Sequence, residues 1–401
     1  MQNSNRASIE FSVNWQSKFA IHKDRYFVGK VDFWRDIFPG NMSQHIAALH
    51  KGECYEESFD AGVLVPPFEQ NRIMKFRDAQ FERKHGGNTL VPALGRFCPK
   101  GLVRSALDCS RGKFNTFRLI KMDNGVLVAD TNHPLANYPL TLEATYLEKL
   151  GSVEKRGGVS TDIAEMVTNG GPGMQVPYPG VATDFYSTYP FRRKNEGDDA
   201  TFYSSPRLIN HLDDKAIDQV ESIYSRLLSS GSKILDLMSS WVSHLRETLK
   251  DYETTGLGLN EEELKANQQL SGFVVHDLNQ KPELPFQDNE FDAVICTASI
   301  EYLTQPIQII PEVARVTKPG GVFISTFSDR WFPGEEILPW SDMHPFERLG
   351  LVLDYYRQTD VFENLYTESV RGLPRPSYDR HIQETVTSDP IFAVWGNVKG
   401  L

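Results

Sequence analysis

Residues 233–237 read Lys-Ile-Leu-Asp-Leu, and residues 291–296 read Phe-Asp-Ala-Val-Ile-Cys. Each is a short apolar run, too brief for a helix and apolar on both alternations. That is how a strand covered on both faces reads. Working outward, Ile217–Leu228 has apolar positions at helical spacing, and Val242–Leu249 reads as a helix. Leu257–Leu259 is a brief strand, Glu261–Gln269 a helix, and Phe273–Val275 a strand. After Phe291–Cys296 come the helix Ile307–Val316 and the strand Val322–Phe327. The alternation predicts an α/β fold, an open and mostly parallel sheet between helix layers. Pro345–Arg357 adds a helix, and Leu365–Arg371 with Ile391–Trp395 reads as an antiparallel ending on the sheet edge.

The whole chain has 401 residues, which predicts two domains, each able to bury a core. Lys and Arg number 42 against 53 Asp and Glu, a net charge of −11, and 40% of residues are hydrophobic. An acidic surface gives no footprint for nucleic acid or anionic lipid. The sequence has no 18-residue apolar run, and MQNSNRASIE lacks the apolar core of a signal peptide, so a cytoplasmic protein without a membrane span is expected. Cys54, Cys98, Cys109 and Cys296 have no ligand-like spacing. They read as buried, reduced thiols with no metal site.

The style of the sequence changes near residue 150. Upstream, Tyr26–Val31, Gly62–Val65, Phe114–Ile120, Val126–Ala129 and Leu140–Leu147 read as strands, with Asn124-Gly125 as a hairpin turn. Phe33–Leu49 is partly helical, and residues 62–82 read as a flap or long loop. From 151 to 200 the chain is rich in Gly, Pro and aromatics, including Val-Pro-Tyr-Pro-Gly at 176–180. Its aromatic side chains need an apolar place to lie, so it reads as an ordered linker. The expected division is a mainly antiparallel domain over 1–150, the linker over 151–200 and the α/β domain over 201–401.

In such sheets ligands bind beyond the carboxyl ends of the strands. Asp236 stands at the end of the first strand, just before Met238, Ser239 and Ser240. Asn260 follows the second strand, and Asp277-Leu278 the third. An adenosine-bearing ligand offers hydroxyls to a side chain at the second strand and an amine to one at the third. Helix capping is the competing reading for Asn260, which precedes Glu261-Glu262-Glu263.

KILDLMSSWVSHL (233–245), GLGLNEE (256–262), HDLNQKPELPF (276–286), FDAVICTASIEYL (291–303) and EVARVTKPGG (312–321) together resemble a class I S-adenosylmethionine-dependent methyltransferase of the small-molecule type over about residues 203–397. The resemblance implies a Rossmann-like seven-stranded sheet with a reversed final hairpin. It also implies S-adenosylmethionine as cofactor and Asp236, Met238, Ser239, Ser240, Asn260, Asp277 and Leu278 as its contacts. Where the family has a glycine-rich turn this chain has Met238-Ser239-Ser240-Trp241, and Asn260 stands where the ribose acceptor is usually acidic. Thr297–Tyr302 lacks the Asn/Asp-Pro-Pro-Tyr pattern used on bases, so the partner expected is a small-molecule methyl acceptor. Glu301, Tyr302 and His344, with Arg330 and Trp331, are the acceptor-side candidates, His344 beside Pro345 also reading as a turn histidine.

Val128–Ala136 (VADTNHPLA) resembles the closing segment of a SlyD-like FKBP-type peptidyl-prolyl isomerase, a resemblance over about residues 23–150. It implies an isomerase-like cleft lined by Phe33, Phe38, Val65, Phe97 and His133, able to take a peptide or protein partner. Ala61 replaces the family's aromatic before the flap glycine, and the histidine-rich tail is absent. Three functions compete: a methyltransferase with an accessory domain, a non-catalytic scaffold whose pockets are filled, and an isomerase or chaperone with a structural second half. Met238 and Trp241 separate the first two, by bordering a cleft or plugging it. Nothing in the sequence sets an oligomeric state.

Overall fold

The computed structural model describes residues 4–85, 88–103, 116–153, 158–187, 189–246 and 251–400. In the first half the strands are β1 (Ser4–Gln16), β2 (Ile21–Asp32), β3 (Cys54–Phe59), β4 (Ile73–Arg77), the two-residue β5 (Lys84–His85) and β6 (Asn88–Thr89), β7 (Phe97–Pro99), β8 (Thr116–Asp123), β9 (Val126–Asp130) and β10 (Leu140–Val153). In the second half they are β11 (Lys233–Leu237), β12 (Glu253–Gly258), β13 (Gly272–Val275), β14 (Phe291–Thr297), β15 (Thr317–Phe327), β16 (Phe362–Arg371) and β17 (Ile391–Val398).

Strands β11 to β17 lie in the order β13-β12-β11-β14-β15-β17-β16, parallel except where β17 runs antiparallel to both β15 and β16. The pleat sorts the side chains. Ile234, Ala293, Ile295 and Ile324 meet the helix Asp214–Leu227 through Ala216, Val220, Ile223 and Tyr224, an i, i+4, i+7, i+8 stripe. Leu235, Val294, Cys296 and Phe323 face the other way, into a core with Ile309, Val313, Leu349 and Tyr356 of the helices Pro306–Val316 and Pro345–Thr359. Both faces are covered, as the short apolar strands required.

The sheet does not stop at the expected domain boundary. β2 pairs in parallel with β16, Tyr366 opposite Ile21 through Arg371 opposite Tyr26, and the order continues β2-β1-β10-β3 to make eleven strands. The seam is buried and polar. Asp24 accepts from Trp15 Nε1 at 2.9 Å and Ser369 Oγ at 2.9 Å, and His22 Nδ1 meets Thr367 Oγ1 at 2.7 Å. Arg25 bridges Glu10 and Glu368 at 2.9 Å each. β4, β9, β8 and β7 form a separate small sheet on a core of Phe76, Phe117, Leu119 and Leu127.

Several sequence expectations are corrected. β1 is not among the expected strands, although Ala7, Ile9, Phe11, Val13 and Trp15 alternate into the first-half core. Gly62–Val65 is a turn, closed by Val63 N–H donating to the Asp60 carbonyl at 3.1 Å. The flap region contains β4. Val242–Arg246 is not helical, and Leu249 lies outside the described residues. His244 takes a left-handed φ of +54°, and side chains hold this backbone: Gln269 Oε1 accepts from Ser243 N–H at 2.9 Å, and Asn267 Nδ2 donates to the Ser240 carbonyl at 3.0 Å. Cys54 is exposed, not buried, and Cys109 lies outside the described residues. The hairpin at Asn124-Gly125 forms as expected, with φ of +47° and +76°.

The residues expected to link the halves cross both. Arg118 donates to the Val176 carbonyl at 2.8 Å, Asp184 N–H to the Leu94 carbonyl at 2.7 Å, and Tyr186 Oη to Asp354 at 2.9 Å. Phe185 is buried in the second-half core, whereas Tyr189 is 67% exposed.

Candidate functional site

A cleft of about 1180 Å³, open solvent at its mouth included, lies at the carboxyl ends of β11, β12, β13 and β14. Asp236, Met238, Ser239, Ser240, Asn260, Asp277, Leu278 and Tyr302 all line it. The parallel register brings residues forty positions apart to one rim, because each strand ends at the same height.

Asp236 lines the cleft from β11. Ser239 Oγ donates to its Oδ2 at 2.6 Å, and burial pushes its pKa up to about 6 against the pull of Ser239 and Ser243. The turn after β11 carries Met238 at φ +58° and approaches β12 closely, with Ser239 N–H donating to the Leu257 carbonyl at 2.7 Å. A Cβ on Gly258 would stand 2.2 Å from the Ser239 carbonyl oxygen. The glycine that permits the tight approach is therefore on the facing strand, not in the turn. Trp241 leaves the cleft open: its Nε1 donates to the Ile209 carbonyl at 3.1 Å, so the ring borders the site.

Asn260 caps the helix Glu261–Ala266, Oδ1 accepting from Glu263 N–H at 3.0 Å, while Nδ2 donates to the Tyr203 carbonyl at 2.7 Å. Asp277 uses only one oxygen. Its Oδ1 accepts from Asn279 N–H at 2.9 Å and Gln280 N–H at 3.2 Å, and its buried Oδ2 has no partner among the described residues. A buried acceptor left open in a cleft wall fits an incoming N–H donor.

The acceptor-side candidates scatter. Tyr302 lines the cleft, its hydroxyl accepting from Phe332 N–H at 2.8 Å. Glu301, the next residue, does not line it. Its side chain is buried with both oxygens unpartnered among the described residues, and burial pushes its pKa up to about 8. His344 also lies off the cleft, capping the helix Pro345–Thr359 with Nδ1 accepting from Phe346 N–H at 3.2 Å. Burial lowers its pKa to about 4. Arg330 pairs with Asp389 at 2.9 Å, and Trp331 lies under the Arg348 guanidinium. Glu301 follows β14 and the other three follow β15, and none of the four lines the cleft.

Sequence reasoning missed the roof. Asp199, Tyr203, Arg207, Ile209 and His211 cover the cleft, with the Phe332 ring packed against Tyr203, Arg207 and His211. The roof is pinned by Asn260, by Arg207 N–H donating to Glu263 at 2.6 Å, and by the Arg193–Asp199 pair at 2.6 Å. Its only sequence signal is Phe202-Tyr203, and nothing local says which surface those rings meet.

A second, smaller cleft beside Asn132-His133-Pro134 is lined by Phe97, Arg118 and Tyr138, and by Val176–Pro179 of the chain itself. Phe33, Phe38 and Val65 do not line it. They pack in or against the first-half core, Phe33 stacked on Phe38 at 5.7 Å.

Among the described residues no group of three His, Cys, Asp or Glu side chains is placed to hold a metal, and no helix is long and apolar enough to cross a membrane. Residues 238–325 match the family described as a methyltransferase domain. The ubiquinone/menaquinone biosynthesis C-methyltransferase UbiE of Chromobacterium violaceum is 32% identical over 118 residues, 29% of this chain and 44% of that protein. The UbiE of Laribacter hongkongensis is 26% identical over 208 residues, 46% of this chain and 82% of that protein. The chain thus spans less than half the length of the first and most of the second. A solved S-adenosylmethionine-dependent methyltransferase from Aquifex aeolicus is 15% identical, over 47% of this chain and 91% of that one, with a TM-score of 0.31. Residues 238–325 are thus similar to a methyltransferase domain.

Proposed function

We propose that the second half transfers a methyl group from S-adenosylmethionine to a small molecule. The observation that carries this reading is the free Oδ2 of Asp277, buried in the wall of a cleft that also holds Asp236, Ser239 and Ser240. The residues present fit the cofactor there: Asp277 to accept from the adenine amine, and the turn at Ser239 to face the amino-acid end. Bound, S-adenosylmethionine supplies a methyl on a cationic sulfonium, which needs an aligned acceptor more than a strong base. The chain's part is to orient and to exclude water. Tyr203, Tyr302 and Phe332 wall the cleft with rings, and burial holds His244 neutral, its pKa down at about 4. Calorimetry with S-adenosylmethionine and S-adenosylhomocysteine tests the reading. Binding of both is expected, and no binding at millimolar ligand by folded protein rejects it.

For the first half we propose a structural role in place of isomerase turnover. The supporting observation is that Pro177, Tyr178 and Pro179 already line the cleft beside His133, their segment held by Arg118. A prolyl-isomerisation assay with a proline-bearing peptide is expected to show no acceleration. Clear turnover rejects this role.

A further inference from the structure

The roof carries a guanidinium with one nitrogen left without a hydrogen-bonding partner among the described residues. Arg207 lines the cleft, and its backbone and Nη2 are occupied, N–H on Glu263 at 2.6 Å and Nη2 on the Phe202 carbonyl at 3.2 Å. Its Nη1 is buried and has no hydrogen-bonding partner among the described residues. The guanidinium carbon lies 4.5 Å from the ring centre of Phe202, 5.2 Å from Phe332 and 5.8 Å from Tyr203, a stack that fixes the plane of its donors.

The nearby carboxylates are already bonded, none of them to Nη1. Glu263 accepts from Arg207 N–H and, at 2.6 Å, from Ser240 Oγ. Asp199 is held by Arg193 at 2.6 Å and by Asn279 at 2.8 Å. The two histidines of this wall, His211 and His244, have pKa values lowered by burial. What remains is an oriented guanidinium edge beside aromatic rings, on the side of the cleft walled by Tyr302 and Phe332.

We propose that Arg207 reads an anionic group on the methyl acceptor, and that the acceptor is an aromatic acid whose carboxylate meets Nη1 while its ring lies among Tyr203, Tyr302 and Phe332. A planar anion suits a fixed guanidinium because it can accept in the same plane. The word acceptor rests on the methyl-transfer reading. The anion site itself does not.

Benzoate and its uncharged counterpart benzamide are the probes, titrated into the full-length protein with and without S-adenosylhomocysteine. Benzoate is expected to bind at least tenfold tighter than benzamide. R207Q should abolish that preference and R207K should keep part of it, each with a melting temperature close to wild type. Equal affinity of the two probes, or a preference that survives R207Q, overturns the proposal. So does competition between benzoate and S-adenosylhomocysteine combined with a tenfold loss of the latter in R207Q, because the guanidinium then holds the cofactor's own carboxylate. If S-adenosylhomocysteine fails to bind the wild type while the Arg207-dependent benzoate preference persists, methyl transfer is rejected and the anion site stands.

Discussion

Asn260 and Tyr203 are joined by a hydrogen bond of 2.7 Å from the Asn260 Nδ2 to the Tyr203 carbonyl, and the other end of the same amide caps the helix that follows β12. One side chain therefore holds both the floor and the roof of the cleft. An aspartate here would strengthen a contact to ribose hydroxyls, but it cannot donate to a carbonyl. A carboxylate would instead face the Tyr203 oxygen.

Asn260→Asp is accordingly expected to weaken S-adenosylhomocysteine binding about tenfold, roughly 1.4 kcal/mol. Hydrogen exchange should quicken over 203–207 and stay slow over Glu261–Ala266, because an aspartate still caps that helix. Tighter binding would show that the Asn260 amide leaves Tyr203 when the ligand arrives.

Asp277→Asn keeps the acceptor used by Asn279 and Gln280 and replaces the open Oδ2 with a donor. Binding of S-adenosylhomocysteine should fall at least tenfold, with the melting temperature unchanged or raised, since an unpartnered buried carboxylate oxygen is costly. Calorimetry and thermal melts together check this.

His22 sits in the seam between β2 and β16, stacked on Trp15 at 3.9 Å, and burial lowers its pKa from 6.5 to about 3. The unfolded chain binds the proton first, so the stability this residue carries is complete above pH 6.5 and is lost as pH falls from there toward 3. At pH 5 the loss is about 2 kcal/mol. Urea unfolding at pH 7 and pH 5 should show that decrement in the wild type and a smaller one in His22→Gln.

Glu301 has the opposite slope. Its pKa rises from 4.5 to about 8 in the fold, so its contribution is complete below pH 4.5 and is lost as pH climbs toward 8. Glu301→Gln removes that penalty and should stabilise the protein by up to about 3 kcal/mol at pH 7, with a smaller gain at pH 5. A stability gain that shrinks with rising pH would contradict the assignment of a neutral buried acid.

The second half was legible because its signals are local. Lys233–Leu237 and Phe291–Cys296 read as two-faced strands from apolar content alone, and the rim residues Asp236, Asn260 and Asp277 follow from where strands end. His344 misled because a histidine before a proline and a glutamate three residues on is also a helix start, which is its role here. Glu301 misled because adjacency to Tyr302 in sequence does not place two side chains on one side of a turn.

By itself, then, the sequence determined the βα alternation, the covered sheet and the rim of the cleft. Burial on both faces and strand length are properties of a few consecutive residues. Only the tertiary structure decided that β2 and β16 join across more than 340 positions, that Gly258 admits the turn at Ser239, and that Tyr203 and Arg207 roof the site. Those outcomes depend on which edges and surfaces meet. An exposed strand edge offers the same backbone donors and acceptors to any partner, so local composition cannot choose between them.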